Sequence, residues 1–174
     1  MSPDEVLARA LALVPGATAA PPELVRGQAV VIVPRERLGT GLRALRDDPG
    51  LRFDRLSDVT AVDYLPREPR FEVVYQLHSL AHGHRLRVKV PLPGDDPEVP
   101  SAAALWKSAL WAEREAWDMF GIRFTDHPDL RRILMYPEFQ GHPLRKDYPV
   151  GRRQPLVPER DPIADPWPAR RAGV

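Results

Sequence analysis

The chain has no cysteine among its 174 residues. That excludes a disulfide framework, thiolate-held zinc and an ordinary iron–sulfur cluster within it, because each needs cysteine sulfur. No apolar stretch approaches the roughly 20 residues that a membrane-spanning helix requires. The longest core-like run is the short AVVIV of residues 29–33. An excess of one charge is also missing, since 25 Lys and Arg stand against 24 Asp and Glu. Binding a phosphate backbone or an anionic membrane surface takes a basic surplus, so neither nucleic acid nor a direct membrane span is expected. A Gly-rich phosphate loop, a G-x-S-x-G elbow and an H-E-x-x-H pair are absent as well. At the N-terminus, Asp4 and Glu5 sit where a secretory signal carries positive charge, and Arg9 interrupts the apolar residues. That segment is expected to be a mature helix.

What the chain does have is patterned hydrophobicity and much proline. Hydrophobic residues make up 43%, enough for a core and too many for a disordered chain. Ser2, Pro3 and Glu5 form an N-cap with a capping-box acid, and Val6, Ala10 and Leu13 share the face of the helix that follows. ELVRGQAVVIVP reads as two strands joined at Arg26-Gly27, the second apolar on both sides and so central. In RERLGTGLRALRDDPG, Leu38, Leu42 and Leu45 line a helix that Pro49-Gly50 stop. Gly39 and Gly41 each cost it about 1 kcal/mol relative to alanine, so packing must support it.

Three strands follow. SDVTAVDYL is moderately strand-like, while RFEVVYQLHSL and HRLRVKVPL alternate: Phe71, Val73, Tyr75 and Leu77, then Leu86, Val88 and Val90, point inward. PLPGDDPEVPS reads as an acidic loop, and residues 102–120 as a helix in one or two segments. The expected architecture is therefore α+β: a two-layer mixed sheet of about five strands with helices on one face, over residues 1–136. Residues 137–174 hold eight of the 21 prolines, each of which blocks a helix and removes a ladder donor. Phe139, Leu144, Tyr148, Leu156, Val157, Ile163 and Trp167 recur among them as anchors of an extended partner-binding arm.

Chemistry concentrates between Trp111 and Pro149. His78, His82 and His84 lie upstream at metal-like spacing, but no acid completes the set, and Gly83 marks a hairpin turn. Glu113, Glu115 and Asp118 have the composition of acid/base or metal-ligating carboxylates. A di-iron bundle needs a Glu-x-x-His pair on each of two helices, which is not met. Arg114 and Asp118 stand four residues apart, the spacing of an ordinary helical ion pair, so a solvated or pairing face is expected. RRILMYPEFQGHPLRK interleaves bases and aromatics as single-strand binders do, against which stand its prolines and the balanced charge. No complete catalytic constellation is present. A metal-dependent hydrolase using the histidines and carboxylates is the rival from another functional class.

EREAWDMFGIRF, HPDLRRIL and GHPLRKDYP, in this order and spacing, resemble the signature of the C component, or 30-kilodalton subunit, of respiratory complex I, the proton-pumping NADH–quinone oxidoreductase. VPRERL, LRFDRLSDVTAVDYL, RFEVVYQLHSL and RLRVKVPL extend the resemblance upstream. It implies a cofactor-free component of the peripheral arm, at the cytoplasmic face of the bacterial inner membrane. Its neighbours would be the large quinone-site component, known as D, and nearby iron–sulfur subunits, with FMN and the clusters carried by those partners. It also implies that the block faces partners through Glu113, Arg114, Glu115, Trp117, Asp118, Phe120, His127, Arg131, Arg132, His142, Arg145, Lys146, Asp147 and Tyr148. A related assembly is the nearer rival, either a membrane-bound hydrogenase or a dehydrogenase that feeds quinone from a donor other than NADH. One departure is Thr125-Asp126 before His127, where glycine or asparagine is more usual in the family. The chain ends at Val174 with no appended D-type domain, the expected stand-alone form.

Overall fold

The computed structural model describes residues 1–157. The chain starts with helix α1 (Pro3–Leu13), capped reciprocally: Glu5 N donates to Ser2 Oγ at 3.2 Å and Ser2 N donates to Glu5 Oε2 at 2.7 Å. Val6 and Ala10 are fully buried, and Val14, rather than the expected Leu13, takes the next core seat. Strand β1 (Thr18–Ala19), short helix α2 (Pro22–Val25), strand β2 (Val30–Ile32), a 3-10 turn (Arg35–Arg37) and helix α3 (Leu38–Asp47) follow. Of the two strands expected in ELVRGQAVVIVP, the first is therefore helix α2. Pro22 starts that turn, and Arg26 and Gly27, at φ of 46° and 74°, end it in the left-handed region before β2 begins.

Strands β3 (Arg55–Asp63), β4 (Phe71–His78) and β5 (Arg85–Leu92) complete a five-stranded mixed sheet of order β1-β2-β5-β4-β3. Strand β2 pairs antiparallel with β1 and parallel with β5, so the interior position expected from its apolar run is the observed one. The register aligns Val31, Val88, Tyr75 and Val59 in one inward row, each no more than 3% exposed. Leu38, Leu42 and Leu45 of α3 join the same core. Gly41 is there because α1 comes close: a Cβ on it would lie 2.9 Å from Val14 Cγ1. Its helix-propensity penalty is the cost of that approach.

Past the sheet the expectations fail in two places. Residues 98–100, read as loop, form strand β6 (Glu98–Pro100), which pairs parallel with β7 (Arg123–Thr125). Three-residue strands are too short to show periodicity. The helix expected from residue 102 begins later, as α4 (Ala109–Phe120). Before it the chain turns to sink Trp106, whose indole donates to Phe53 O at 3.2 Å, and Ser108 Oγ donates to Leu56 O at 2.9 Å. Residues 137–157 contain no helix or strand, as their prolines require. They are nevertheless tied down: Leu144 N donates to Met119 O at 3.0 Å and Lys146 N to Asp63 Oδ2 at 2.9 Å, and Gln154 bonds back to Gln140, its Oε1 accepting from Gln140 N at 2.9 Å. The rest of the expected arm, with Ile163 and Trp167, lies outside the described residues. No helix among the described residues is long and apolar enough to cross a membrane.

Candidate functional site

Helix α4 organises the charged block. Residues spaced three and four apart on it turn to the core, and this places Ala109, Glu113, Ala116 and Met119 inside. Asp118 is also buried, on the flank covered by the chain that follows. Gly121, at φ 73°, ends the helix, with its N–H on Trp117 O at 2.8 Å. A Cβ at that position would lie 2.6 Å from both Arg145 Nη2 and His142, so only glycine lets the returning segment pack there.

Glu113 is 0% exposed. Its Oε2 accepts from the Ser101 hydroxyl at 2.6 Å and its Oε1 from Ala102 N at 2.7 Å, which ties α4 to the end of β6. Burial pushes its carboxyl up to about 7, against the opposing pull of those two bonds. The hydroxyl of Tyr75 is buried and has no partner among the described residues; burial, and then the Glu113 charge, raise its ionisation well above 10.

Asp118 is 0% exposed and accepts four bonds: Arg132 Nη1 at 2.5 Å on Oδ1, then Ile133 N, Leu134 N and Met135 N at 3.0, 2.9 and 2.9 Å on Oδ2. Burial alone would raise its pKa. The Met135 amide, Arg132 and the other two amides overcome that and hold it below the ordinary value. The helical ion pair expected between Arg114 and Asp118 is therefore not formed. Arg114 instead donates to the carbonyls of Arg131 and Arg132, at 3.0 Å each, and lies over the Trp111 ring. Sequence spacing could not show this, because the true partner of Asp118 is a loop 14 residues downstream.

The returning segment completes the frame. Arg132 also donates to Gly141 O at 3.0 Å and stands over Trp117 and Phe139, and Phe139 stacks on Tyr148. His142 Nδ1–H donates to Asp118 O at 2.9 Å, and Arg145 Nε donates to Phe120 O at 2.5 Å. Burial lowers the pKa of both groups. His127 is held between Leu110 O, at 3.1 Å from Nε2, and Asp129 N, which donates to Nδ1 at 3.0 Å. Asp126, before it, adopts φ 60°, at a cost of about 1 kcal/mol for a residue with a Cβ.

A second knot was missed in the sequence. Arg70 forks onto Asp63 at 3.0 and 2.8 Å and reaches Asp147 at 3.0 and 2.8 Å. Asp63 is 4% exposed; burial opposes its ionisation, but Arg70 and the amides of Leu65 and Lys146 hold it far below the usual carboxylate range. The only available signal was a charged DYLPREPR next to an alternating strand. Glu113 and Asp118, expected to face partners, thus satisfy their bonds inside the chain. Glu115, Lys146 and Asp147 reach the surface, and so do the apolar side chains of Trp111 (66% exposed), Leu134 (56%) and Leu144 (55%). The hairpin reading of HSLAHGH holds: His82 and His84 stack and bond Pro49 O and Leu51 O at 3.0 and 2.9 Å. Among the described residues no group of three or more His, Asp or Glu is placed to hold a metal ion.

Such a fold, a sheet covered on one face with a helix locked down by an inward-facing charge frame, defines an α+β protein whose charged block serves structure first. The family model for the respiratory-chain NADH dehydrogenase, 30 Kd subunit, matches residues 31–154, and the chain belongs to that family. It is 53% identical over 137 residues to the NADH-quinone oxidoreductase C component of Citrifermentans bemidjiense, covering 79% of this chain and 81% of that one. With the corresponding C component of Roseiflexus castenholzii it shares 51% over 149 residues, 86% and 85% of the two chains. Among solved structures it is similar to the trypsin-resistant fragment of Nqo5, with TM-score 0.61, 36% identity and coverage of 73% of this chain and 98% of that fragment. It is also similar to a chain of the membrane-bound sulfane sulfur reductase, an archaeal respiratory membrane complex, with TM-score 0.68, 26% identity and coverage of 84% and 85%.

Proposed function

We propose that this chain is a cofactor-free structural subunit of a proton-translocating NADH–quinone oxidoreductase. It supports electron flow from NADH through partners' FMN and iron–sulfur clusters to quinone without carrying electrons itself. It sits in the peripheral arm at the cytoplasmic face of the membrane, beside the quinone-site component and its iron–sulfur neighbours. The observation that carries this reading is how the family block is divided. Its carboxylates and arginines are largely consumed in rigidifying α4 and the 131–148 segment. Its large apolar groups, Trp111, Leu134 and Leu144, are left outward. Apolar side chains held out on a rigid frame are what a docking surface needs, since aromatic anchors carry much of the energy of an interface. The proline-rich chain of residues 137–174 keeps its assignment as a partner-binding arm within this proposal, its first part also bonded to the domain.

The test is to replace Trp111 and Leu134 by Asp in the chromosomal copy. The purified chain should unfold at an unchanged midpoint, because surface substitutions shift stability by only about 0.5 kcal/mol. Membranes should lose assembled complex and NADH–quinone activity together. Full assembly of both variants would remove the docking role, and tightly bound flavin, iron or zinc in the purified chain would remove the cofactor-free one. The likeness to the sulfane sulfur reductase chain favours a second reading, in which the assembly takes electrons from a donor other than NADH. Co-purifying NADH-binding and flavin subunits decide against it.

A further inference from the structure

At one end of the outer face of the sheet stand arginines that form no ion pair among the described residues. The register aligns Arg55 of β3, His78 of β4 and Arg85 of β5 in one row across three adjacent strands. Neighbouring strands are about 4.8 Å apart, so the two arginines rise about 10 Å from each other with the histidine between. In the next row Arg87 makes one long bond, 3.4 Å, to Gln76. This row borders a cleft of about 610 Å3 whose lining holds three arginines and two histidines and no carboxylate. Its wall includes Leu77, Leu86 and the start of α1.

The surrounding acids are engaged elsewhere or stand apart. Glu72 is taken by Lys89 at 2.8 Å, and Asp54 accepts from Leu80 N at 3.0 Å. Asp58 lies one row on, opposite Gln76. The side chains of Arg55, Arg85 and His78 have no hydrogen bond or ion pair among the described residues, unlike the arginines of the internal frame. Like charges held in one row repel, and any anion that settles over His78 between the two guanidiniums relieves that repulsion and finds two forked donors.

We propose that this row is the docking site for an acidic segment of a neighbouring subunit, with carboxylates seated on Arg55 and Arg85 on either side of His78. This rests on the subunit reading above. Both arginines are exposed, beside the start of α1. Arg55 and Arg85 stand exposed at the edge of the cleft about 10 Å apart, a span that two carboxylates of one extended acidic segment can bridge. Charge complementarity of this kind fixes register and partner choice.

The experiment uses the assembled complex. A photo-crosslinking amino acid replaces Ser57, which is exposed beside the row, and the crosslinked peptide is identified by mass spectrometry. In parallel, Arg55→Glu and Arg85→Glu are combined. The expected crosslink falls on a partner segment containing at least two Asp or Glu. The double reversal should weaken incorporation by about 30-fold or more, with Arg55→Lys and Arg85→Lys retaining most of it and the unfolding midpoint of the free chain unchanged. A crosslink to an acid-free segment, or none although the chain is present in the complex, overturns the proposal and leaves the subunit reading intact. Absence of the chain from the purified complex overturns both. Saturable binding of inorganic phosphate, or of phosphatidylglycerol vesicles, that the double reversal abolishes while incorporation is unaffected overturns the protein occupant in favour of that anion.

Discussion

Replacing Glu113 by Gln should make the isolated chain more stable at pH 8 and erase part of its pH dependence. In the native chain the carboxyl is fully buried and its pKa is pushed from 4.5 up to about 7. A raised carboxyl pKa means that between those values the folded state holds a proton that the unfolded state has released. Stability therefore falls as pH rises through this window. At about 1.4 kcal/mol per unit the full effect is about 3 kcal/mol, present below pH 4.5 and lost by about pH 8. The glutamine side chain keeps an oxygen for Ala102 N and offers an amide to Ser101 Oγ. It strands the Ser101 hydroxyl proton, at about 1 kcal/mol. The net expectation is a gain of about 2 kcal/mol at pH 8 that shrinks to nothing or reverses by about pH 5. His127 and His142, whose pKa values burial lowers, run the other way: they bind fewer protons when folded, so they add stability as pH rises. The readout is thus the difference between Glu113→Gln and the native chain in urea denaturation at several values from about pH 5 to pH 8. Parallel stability curves would refute the reasoning, and so would a loss of stability at the alkaline end, since either would mean that the ionised carboxylate is not penalised by its surroundings.

Replacing Asp118 by Ala should cost about 3–5 kcal/mol, because Arg132 and three backbone amides lose their acceptor; a change under about 1 kcal/mol in urea denaturation would count against the frame. In the native chain the contribution of Asp118 is present above the ordinary carboxylate range and is lost as pH falls through its depressed value, so acid should loosen the 131–148 segment first, as hydrogen exchange would show. Gly121→Ala should destabilise by about 2 kcal/mol or more, combining left-handed strain with displacement of Arg145 and His142, and an unchanged thermal midpoint would contradict that packing. Arg70→Met strands the buried Asp63 and should cost about 3–5 kcal/mol, whereas Asp147→Asn, at a half-exposed partner, should cost under about 1 kcal/mol; equal losses would mean that the two acids are not distinguished by burial. Limited proteolysis of free chain and complex, side by side, should show the chain beyond Gln154 protected only in the complex, and equal protection in both would end its role as an arm.

Hydrophobic alternation was enough to place β4 and β5, because one buried face per strand forces a period of two that survives in the sequence. The capping box of α1 and the leucine stripe of α3 were legible for the same reason: each depends on residues within one or two turns. The likeness of EREAWDMFGIRF and its companions to the 30 Kd family was also plain in the letters. What the letters could not carry was the pairing of charges. Glu113 and Glu115 share one helix, yet one is buried at Ser101 and the other is solvated, because the path of a loop 12 residues upstream decides it. Asp118 has Arg114 at a helical spacing and binds Arg132 instead, since three backbone amides come with that loop and outweigh a solvent-exposed pair. Strands β6 and β7 escaped because three residues hold no period. The row of Arg55, His78 and Arg85 comes from three separate strands and is assembled only by register. Periodic burial is a local property written along the chain; the partner of a charge is chosen by which distant segment arrives beside it, and only the tertiary structure decides that.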